Sequence, residues 1–143
     1  MSESLTLAIP TGRIFKETAE LLSRAGWPVP EDDVEARKLH LYNGREQAFI
    51  LAKDPDVPTY VEHGVADAGI VGADVLAEIQ PDVYQPVDLQ IGRCRMVVAH
   101  RAGVDPRSFG ELSTLKVATK YTRVASEYFH GRGIPVEVVR LAG

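Results

Sequence analysis

Two short segments of the chain carry side chains suited to binding phosphate. Thr11-Gly12-Arg13 follows an apolar run and precedes an amphipathic pattern, and Thr119-Lys120-Tyr121 has the same place in the second half of the chain. Amide groups at a helix start, joined by a guanidinium or ammonium group, suit a phosphate, and the hydroxyls and aromatic ring of the second segment would suit a base or sugar. A tight turn with a solvated arginine, and an ordinary helix cap by Thr122, explain the same two patterns.

A further pair of cations, Arg37-Lys38, precedes a predicted strand. It is either an anion clamp or the solvated, charged start of that strand. The acidic pair Asp32-Asp33 follows Pro28-Val29-Pro30-Glu31 rather than an apolar strand. It is therefore interpreted as an exposed loop and not as a magnesium or ribose site.

Three glycines punctuate the segment from Gly64 to Gly72. Gly64 fits the residue that follows a helix end, and packing alone explains Gly69. Gly72 lies at the carboxyl end of a predicted strand, where a glycine lets a ligand or another backbone approach closely. Gly72 is therefore the candidate site residue of the three.

Metal and thiol chemistry find little support in the sequence. The histidines, at His40, His63, His100 and His130, are scattered without metal-ligand spacing. The single cysteine, Cys94, cannot form an internal disulfide, and its apolar surroundings predict a buried residue rather than a nucleophile.

Alternating strand and helix patterns predict an α/β fold. The first strand covers Leu5–Ile9, and the helix after it has apolar residues at helical spacing from Ile14 to Ala25, with Gly26 as its stop. The pair Asn43-Gly44 predicts a hairpin between two strands. The remaining elements predicted for the first half are strands over Lys38–Tyr42, Ala48–Ala52 and Ala68–Val71, a helix from an N-cap at Asp56 to about His63, and a helix over Asp74–Ile79.

The second half is predicted to contain a strand–helix–strand unit. Val83–Ile91 and Cys94–Ala99 are predicted to be extended, and a boundary near residues 88–95 divides the chain into a first α/β lobe, residues 1–90, and a second, residues 91–143. The unit itself consists of a strand over Leu115–Thr119, a helix over Tyr121–Gly131 and a strand over Val136–Leu141.

Composition and charge narrow the classes of function. Sixteen basic against twenty acidic residues give a formal charge of −4, which does not suggest a nucleic-acid surface. No apolar run approaches the roughly 20 residues that a membrane span needs. The first ten residues lack the basic and apolar regions of a secretory signal, so a cytoplasmic location without membrane contact is expected.

Four segments carry a combined pattern that is more specific than any single motif. They are, in order, Leu7–Ile14, Ala36–Leu39, Asp56–Gly72 and Lys116–Tyr121. Together they closely resemble ATP phosphoribosyltransferase in its short, catalytic-subunit form. The resemblance runs over essentially the whole chain, and the block from Asp56 to Gly72 is its most specific part.

The resemblance implies a two-lobed fold like that of the type II periplasmic binding proteins. It implies transfer of a phosphoribosyl group from 5-phosphoribosyl 1-diphosphate to N1 of ATP, the first step of histidine biosynthesis, with Mg²⁺ held mainly through the substrate diphosphate. It also implies a homodimer that pairs with a regulatory subunit similar to histidyl-tRNA synthetase. The site residues it implies are Arg13 and Arg37 in catalysis and Thr11, Gly12, Asp56, Gly72, Thr119, Lys120 and Tyr121 in substrate binding.

The sequence departs from the family's pattern at Gly143. In the family, the strand that matches Val136–Leu141 runs into a Gly-Ser-x-Glu-x-Ala-Pro stretch that cradles the 5-phosphate and ribose, and here only its first glycine is present. The second lobe is therefore expected to be incomplete, and turnover by these 143 residues on their own is not expected. The alternative function is a non-catalytic module of the same fold that binds a small ligand or anion.

Overall fold

The computed structural model describes residues 5–30, 34, 39–44, 47–111 and 114–142. Over these residues the protein is a mixed α/β structure, as the sequence predicts. It divides into two compact units, Met1–Arg93 and Cys94–Gly143.

Strands and helices alternate through the described part of the first unit. The chain enters on an apolar strand, turns into an amphipathic helix, and repeats this order twice more after a hairpin. The elements are β1 (Leu5–Pro10), α1 (Phe15–Arg24), β2 (His40–Tyr42), β3 (Gln47–Ala52), α2 (Asp56–Glu62), β4 (Ala68–Gly69) and α3 (Ala73–Ile79).

The strands of the first unit form one mixed sheet in the order β2-β3-β1-β4. β1 runs parallel to β3 from the pair Leu5–Gln47 to the pair Pro10–Ala52, and it runs parallel to β4 on its other side. β2 pairs antiparallel with β3 through the predicted hairpin, where Gly44 has φ +74°. Because β1, β3 and β4 are parallel, their carboxyl ends share one edge of the sheet.

Both faces of this sheet are buried. On one face Ile9, Leu41 and Phe49 are fully buried, and the edge of the Trp27 ring lies against Phe49 with centroids 6.2 Å apart. The other face packs Ala8 and Ile50 with residues from α2 and its flanks. Burial on both faces explains why β1 and β3 are continuous apolar runs rather than alternating ones.

Two helices of the first unit, α1 and α2, end next to a glycine with positive φ. Gly26 (φ +81°) follows the end of α1 and Gly64 (φ +70°) follows the end of α2, as predicted. The prediction that Asp56 is the N-cap of α2 is wrong by one residue. Pro55 holds that position and Asp56 is the first helical residue, because the turn closes one residue earlier through the bond from the Asp56 N–H to the Lys53 carbonyl (2.8 Å).

The strand predicted over Ala68–Val71 is shorter in the structure. Its ladder ends at Gly69, and after a last bond from the Ile70 N–H to the Ala8 carbonyl (2.9 Å) the chain turns towards α3. Packing explains Gly69, as predicted. A Cβ on this residue would lie 2.7 Å from Val57 Cγ1 and 3.0 Å from Val61 Cγ2, so its hydrogen lets α2 approach the sheet closely.

Substitution Gly69→Ala should lower the free energy of unfolding by about 1–3 kcal/mol, because Val57 is fully buried and cannot move aside freely. Denaturant titration measures the loss. The double variant Gly69→Ala/Val57→Ala is the control: the space left by Val57 should make its loss smaller than the sum of the two single losses. Additive losses would show that the new methyl group does not meet Val57.

No helix or strand occurs between Ile79 and Pro106, a stretch that the structure describes throughout. The segments Val83–Ile91 and Cys94–Ala99 join no sheet, and Cys94 is exposed, contrary to the prediction of burial. The apolar character of the second segment was the basis of that prediction. Because no strand of the described residues pairs with Cys94–Ala99, its side chains remain exposed to solvent, and Val97 is 66% exposed.

The second unit contains a parallel strand pair joined by a helix. Leu115 pairs with Val136 and Thr119 with Arg140, and the helix buries Ala125 and Phe129. The helix begins at Thr122 with Tyr121 at its N-cap, one residue later than predicted. Its elements are a 3₁₀ turn (Pro106–Glu111), β5 (Leu115–Thr119), α4 (Thr122–His130) and β6 (Val136–Arg140).

Asp105 holds the start of the 3₁₀ turn. Its carboxylate accepts the backbone N–H of Arg107 (2.9 Å) and the Arg107 Nε–H (3.0 and 3.1 Å to its two oxygens). These bonds from Arg107, with a smaller contribution from the charge of His100, hold the pKa of Asp105 below its usual range.

A carboxyl group whose pKa is lowered by folding stabilises the folded state above its unfolded pKa of about 3.9 and loses that contribution as the pH falls. Asp105→Ala should therefore lower the free energy of unfolding near neutral pH, and the difference from the unsubstituted chain should shrink below about pH 3.9. Denaturant titrations across this pH range test it. Arg107→Ala removes the side-chain donor and keeps the backbone N–H, so it should give a smaller loss with the same dependence on pH. A loss that is constant with pH would contradict this account.

Candidate anion-binding site

Three connections meet at the carboxyl edge of the first sheet. They are the residues that follow β1 (Thr11–Ile14), β3 (Lys53–Pro55) and β4 (Ile70–Gly72), and each leads into a helix. In open α/β sheets, ligands bind at the carboxyl ends of the strands. The structure thus brings the predicted site residues Thr11, Gly12 and Arg13 to the same edge as Asp56 and Gly72.

Thr11 ties the first connection to β3. Its N–H donates to the Ala52 carbonyl (2.9 Å), and its hydroxyl donates to the same oxygen (3.3 Å). The hydroxyl proton of Thr11 is therefore used in holding the turn, and only its lone pairs face outward as acceptors.

Gly12 lies against the carboxylate of Asp54. A Cβ on Gly12 would lie 2.8 Å from Asp54 Oδ1 and 3.0 Å from Oδ2, so the absence of a side chain makes room for this carboxylate. The Gly12 carbonyl accepts the N–H of Phe15 (3.1 Å), which starts α1. Gly12 therefore contacts both the start of α1, through its carbonyl, and the Asp54 carboxylate that follows β3.

Charge at this edge is mixed rather than uniformly positive. Arg13 and Lys53 are exposed cations, and no carboxylate of the described residues forms an ion pair with either. Asp54 and Asp56 set two negative charges beside them. Such an edge favours a ligand with both phosphates and cation or hydroxyl groups over a bare anion.

Arg37, the other predicted catalytic residue, lies outside the described residues. Gly72 has φ −68° and ψ 141°, a conformation open to any residue, and it is the N-cap of α3 rather than the end of a strand. The carboxylate of Asp74 folds over it, so that a Cβ on Gly72 would collide with Asp74 Oδ1. The group that closely approaches the Gly72 backbone is therefore the Asp74 side chain.

The second unit gathers a comparable set at the carboxyl ends of β5 and β6. Thr119 Oγ1 accepts the N–H of Tyr121 (3.1 Å), and Lys120 Nζ stands 4.9 Å from the centre of the Tyr121 ring. Arg140 pairs with Thr119 in the register, and the next N–H, that of Leu141, donates to the Thr119 carbonyl (3.0 Å). Thr119, Lys120 and Tyr121 thus lie together, with Arg140 beside them.

Lys53, Asp54 and Arg140 are residues that sequence reasoning missed. Lys53 and Asp54 directly follow an apolar strand, and Arg140 ends one, so each has the same signal that selected Arg13. The strand register distinguishes two of them, because it places Asp54 against Gly12 and Arg140 beside Thr119.

The donors at the first edge suit a magnesium ion that arrives on a phosphate rather than one held by the protein alone. Among the described residues, no three His, Cys, Asp or Glu side chains come together. A magnesium ion needs only one or two protein carboxylates when phosphates supply the other ligands, and Asp54 and Asp56 are two carboxylates at this edge.

Comparison with known proteins decides the family. A sequence model of the family HisG, described as ATP phosphoribosyltransferase, matches residues 53–143. A protein of Bacillus licheniformis named ATP phosphoribosyltransferase is 49% identical over 144 residues, which is 100% of this chain and 66% of that protein. The chain belongs to the ATP phosphoribosyltransferase family.

Further members of the family extend the comparison. The Bacillus subtilis ATP phosphoribosyltransferase is 47% identical and likewise 66% covered, so the chain spans just under two thirds of the length of these relatives. A solved structure, the ATP phosphoribosyl transferase (HisG:HisZ) complex from Thermotoga maritima, has a TM-score of 0.69 and 28% identity, covering 97% of this chain and 65% of that one. The resemblance inferred from the sequence is thereby confirmed. No helix in the described part of the chain could span a membrane.

Gly12→Ala should turn the Asp54 carboxylate away and lower the free energy of unfolding by about 1 kcal/mol, because an oxygen at 2.8 Å must move to admit a methyl group. Unfolding is followed by intrinsic fluorescence. The double variant with Asp54→Ala should recover most of the loss. Equal losses with and without Asp54 would mean that Gly12 serves another purpose.

Proposed function

We propose that the protein transfers a phosphoribosyl group from 5-phosphoribosyl 1-diphosphate to N1 of ATP, releasing diphosphate, as the first step of histidine biosynthesis. The observation that supports this most is the 49% identity to ATP phosphoribosyltransferase over the whole chain. The edge at Thr11–Arg13 fits it chemically, because both substrates carry phosphates and ribose hydroxyls.

The transfer needs positive charge near the leaving group. As adenine N1 attacks the ribose C1, the C1–O bond to diphosphate breaks, an oxocarbenium-like centre forms and negative charge builds on the diphosphate oxygens. Adenine N1 attacks with its own lone pair, so little general-base work is required. In our proposal Arg13 and Arg37 hold the diphosphate, since a guanidinium can bridge two phosphate oxygens in one plane.

Other residues of the first edge bind and orient the substrates in this proposal. Gly12 leaves its amide close to the ligand, Thr11 offers hydroxyl lone pairs, and Asp56 and Gly72 border the same edge at the starts of α2 and α3. When Mg²⁺ is bound to the substrate diphosphate, it neutralises part of the charge of the leaving group. Asp54 and Asp56 would contact that ion or its water.

The second unit carries substrate-binding residues of its own in this proposal. Thr119, Lys120 and Tyr121 would bind phosphate and sugar or base, as a hydroxyl, an ammonium group and an aromatic ring at one turn allow. The two units would correspond to the two lobes of a fold of the type II periplasmic-binding-protein kind. The boundary predicted from the sequence, between residues 90 and 91, lies within three residues of the division between the units at Arg93 and Cys94.

The partners follow from the family in the same way. The similar Thermotoga structure is a HisG:HisZ complex, which supports a regulatory partner for this protein. We propose a homodimer paired with a subunit similar to histidyl-tRNA synthetase, in the cytoplasm.

Arg13→Ala, in a version extended to the full length of the relatives, should lower kcat about a hundredfold or more, as expected when a donor to developing charge is removed. Arg13→Lys should recover only part of this rate, because an ammonium group cannot bridge two oxygens. The absorbance of phosphoribosyl-ATP measures turnover.

Arg24→Ala is the matched control, because it removes an exposed arginine from the last turn of α1, the helix that follows the Arg13 turn. Its turnover should remain unchanged. Near-normal single-turnover rates for Arg13→Ala would contradict the role of Arg13. Tight binding of both substrates without any product would favour the non-catalytic binding module instead.

A further inference from the structure

We propose that Glu17 is a positioning residue for the Arg13 turn and acts by fixing the segment Gln90–Gly92 against the first turn of α1. This inference deepens the proposed function, since it concerns the residue assigned to the diphosphate. Glu17 itself stays outside contact with substrate. Its partner Gly92 belongs to the same compact unit.

The contact is a hydrogen bond between residues far apart in sequence. The Gly92 N–H donates to Glu17 Oε2 (3.1 Å), and Glu17 lies in the first turn of α1. A carboxylate there is already favoured by the helix dipole. By accepting a bond from Gly92, it also fixes one point of a long irregular segment.

The backbone around Gly92 is shaped to make this contact. Gln90 (φ 57°) and Gly92 (φ 59°) both adopt the left-handed region, which is uncommon for a residue with a side chain such as Gln90. Asp88 supports the bend by accepting the Gln90 N–H (2.9 Å). Two left-handed residues close together turn the Gly92 N–H towards α1.

Gly92 also packs closely against Ile14, the residue that follows Arg13. A Cβ on Gly92 would lie 2.5 Å from Ile14 Cγ2, so only glycine fits at this distance. Ile14 is the N-cap of α1, and its carbonyl accepts the N–H of Thr18 (2.9 Å). The segment therefore contacts the first turn of α1 at two points, Ile14 and Glu17.

These contacts add to the hydrogen bonds that already hold the Arg13 turn. The bonds from Thr11 to the Ala52 carbonyl fix its beginning, and the bond from the Phe15 N–H to the Gly12 carbonyl fixes its end. Gly92 and Glu17 hold the helix turn on which that last bond depends. Loss of the Glu17 carboxylate should free this turn and with it Arg13.

The test compares Glu17→Ala, Glu17→Gln and Glu20→Ala in the 143-residue chain. Glu20 is an exposed glutamate one turn further along α1 and serves as the matched control. Two quantities are measured: water exchange of the Gly92 and Phe15 amides by NMR, and the Kd of magnesium diphosphate by calorimetry.

For Glu17→Ala we expect exchange at both amides to rise, and the Kd of diphosphate to weaken, each roughly three- to tenfold, the range that one hydrogen bond of modest net strength gives. Glu17→Gln keeps an acceptor oxygen and should restore most of both, whereas Glu20→Ala should change neither. The melting temperature should fall by no more than a few degrees in Glu17→Ala and should stay unchanged in Glu20→Ala.

A second pair of variants isolates the contact with Ile14. Gly92→Ala and Gly103→Ala both place a Cβ on a glycine with positive φ, but Gly103 (φ +85°) has no atom within 4 Å of that position. Faster Phe15 exchange in Gly92→Ala alone supports the proposal. Equal effects of the two variants contradict it.

Two outcomes would overturn the proposal. Unchanged Gly92 exchange in Glu17→Ala would show that the hydrogen bond contributes nothing in solution. Faster Gly92 exchange with unchanged Phe15 exchange would show that Glu17 fixes only the irregular segment. If the unsubstituted chain binds no diphosphate, the role of Arg13 fails, while the exchange measurements still decide whether Glu17 positions the turn.

Discussion

The parallel pairing of β1 with β3 is the constraint on which the first unit depends. Its register ends at Pro10 and Ala52, and the two hydrogen bonds from Thr11 to the Ala52 carbonyl prolong it by one residue. A slip of β1 by one residue would move Ile9, which is fully buried beside Phe49, to the opposite face of the sheet, where α2 packs. The register is therefore fixed by the core, and the position of Asp54 on Gly12 follows from it.

Mixed charge at the sheet edge follows from the same pairing. The ends of β1 and β3 place Arg13 and Lys53 at the same edge as Asp54 and Asp56, so this edge offers hydrogen-bond donors and acceptors together. A nucleotide or sugar diphosphate has matching groups of both kinds: phosphate oxygens for the cations, and hydroxyls or a bound metal ion for the carboxylates. Both substrates that we propose, ATP and 5-phosphoribosyl 1-diphosphate, carry phosphates and ribose hydroxyls of this kind.

The sequence predicted what depends on local chemistry. Asn43-Gly44 marked the hairpin and Gly26 and Gly64 marked helix ends, because a positive φ is a property of one residue and its neighbours. Apolar runs marked β1, β3 and β5. Asp54 and Arg140 escaped notice because only the strand register brings Asp54 against Gly12 and Arg140 beside Thr119. Cys94 was misjudged because an apolar sequence shows that burial would be favourable and not that a partner strand is present.

The separation of paired strands along the chain sets an order of assembly. The partners in β5 and β6 lie about twenty residues apart, and those in β1 and β3 about forty. Closing a loop of twice the length costs about 0.6 kcal/mol more, so the strand pair of the second unit has the entropic advantage in closing. During synthesis, however, the Arg13 turn leaves the ribosome first and then waits until Ala52 has emerged. For that interval Leu7 and Ile9 are unpaired apolar residues in a nascent chain, which is the kind of segment that chaperones bind.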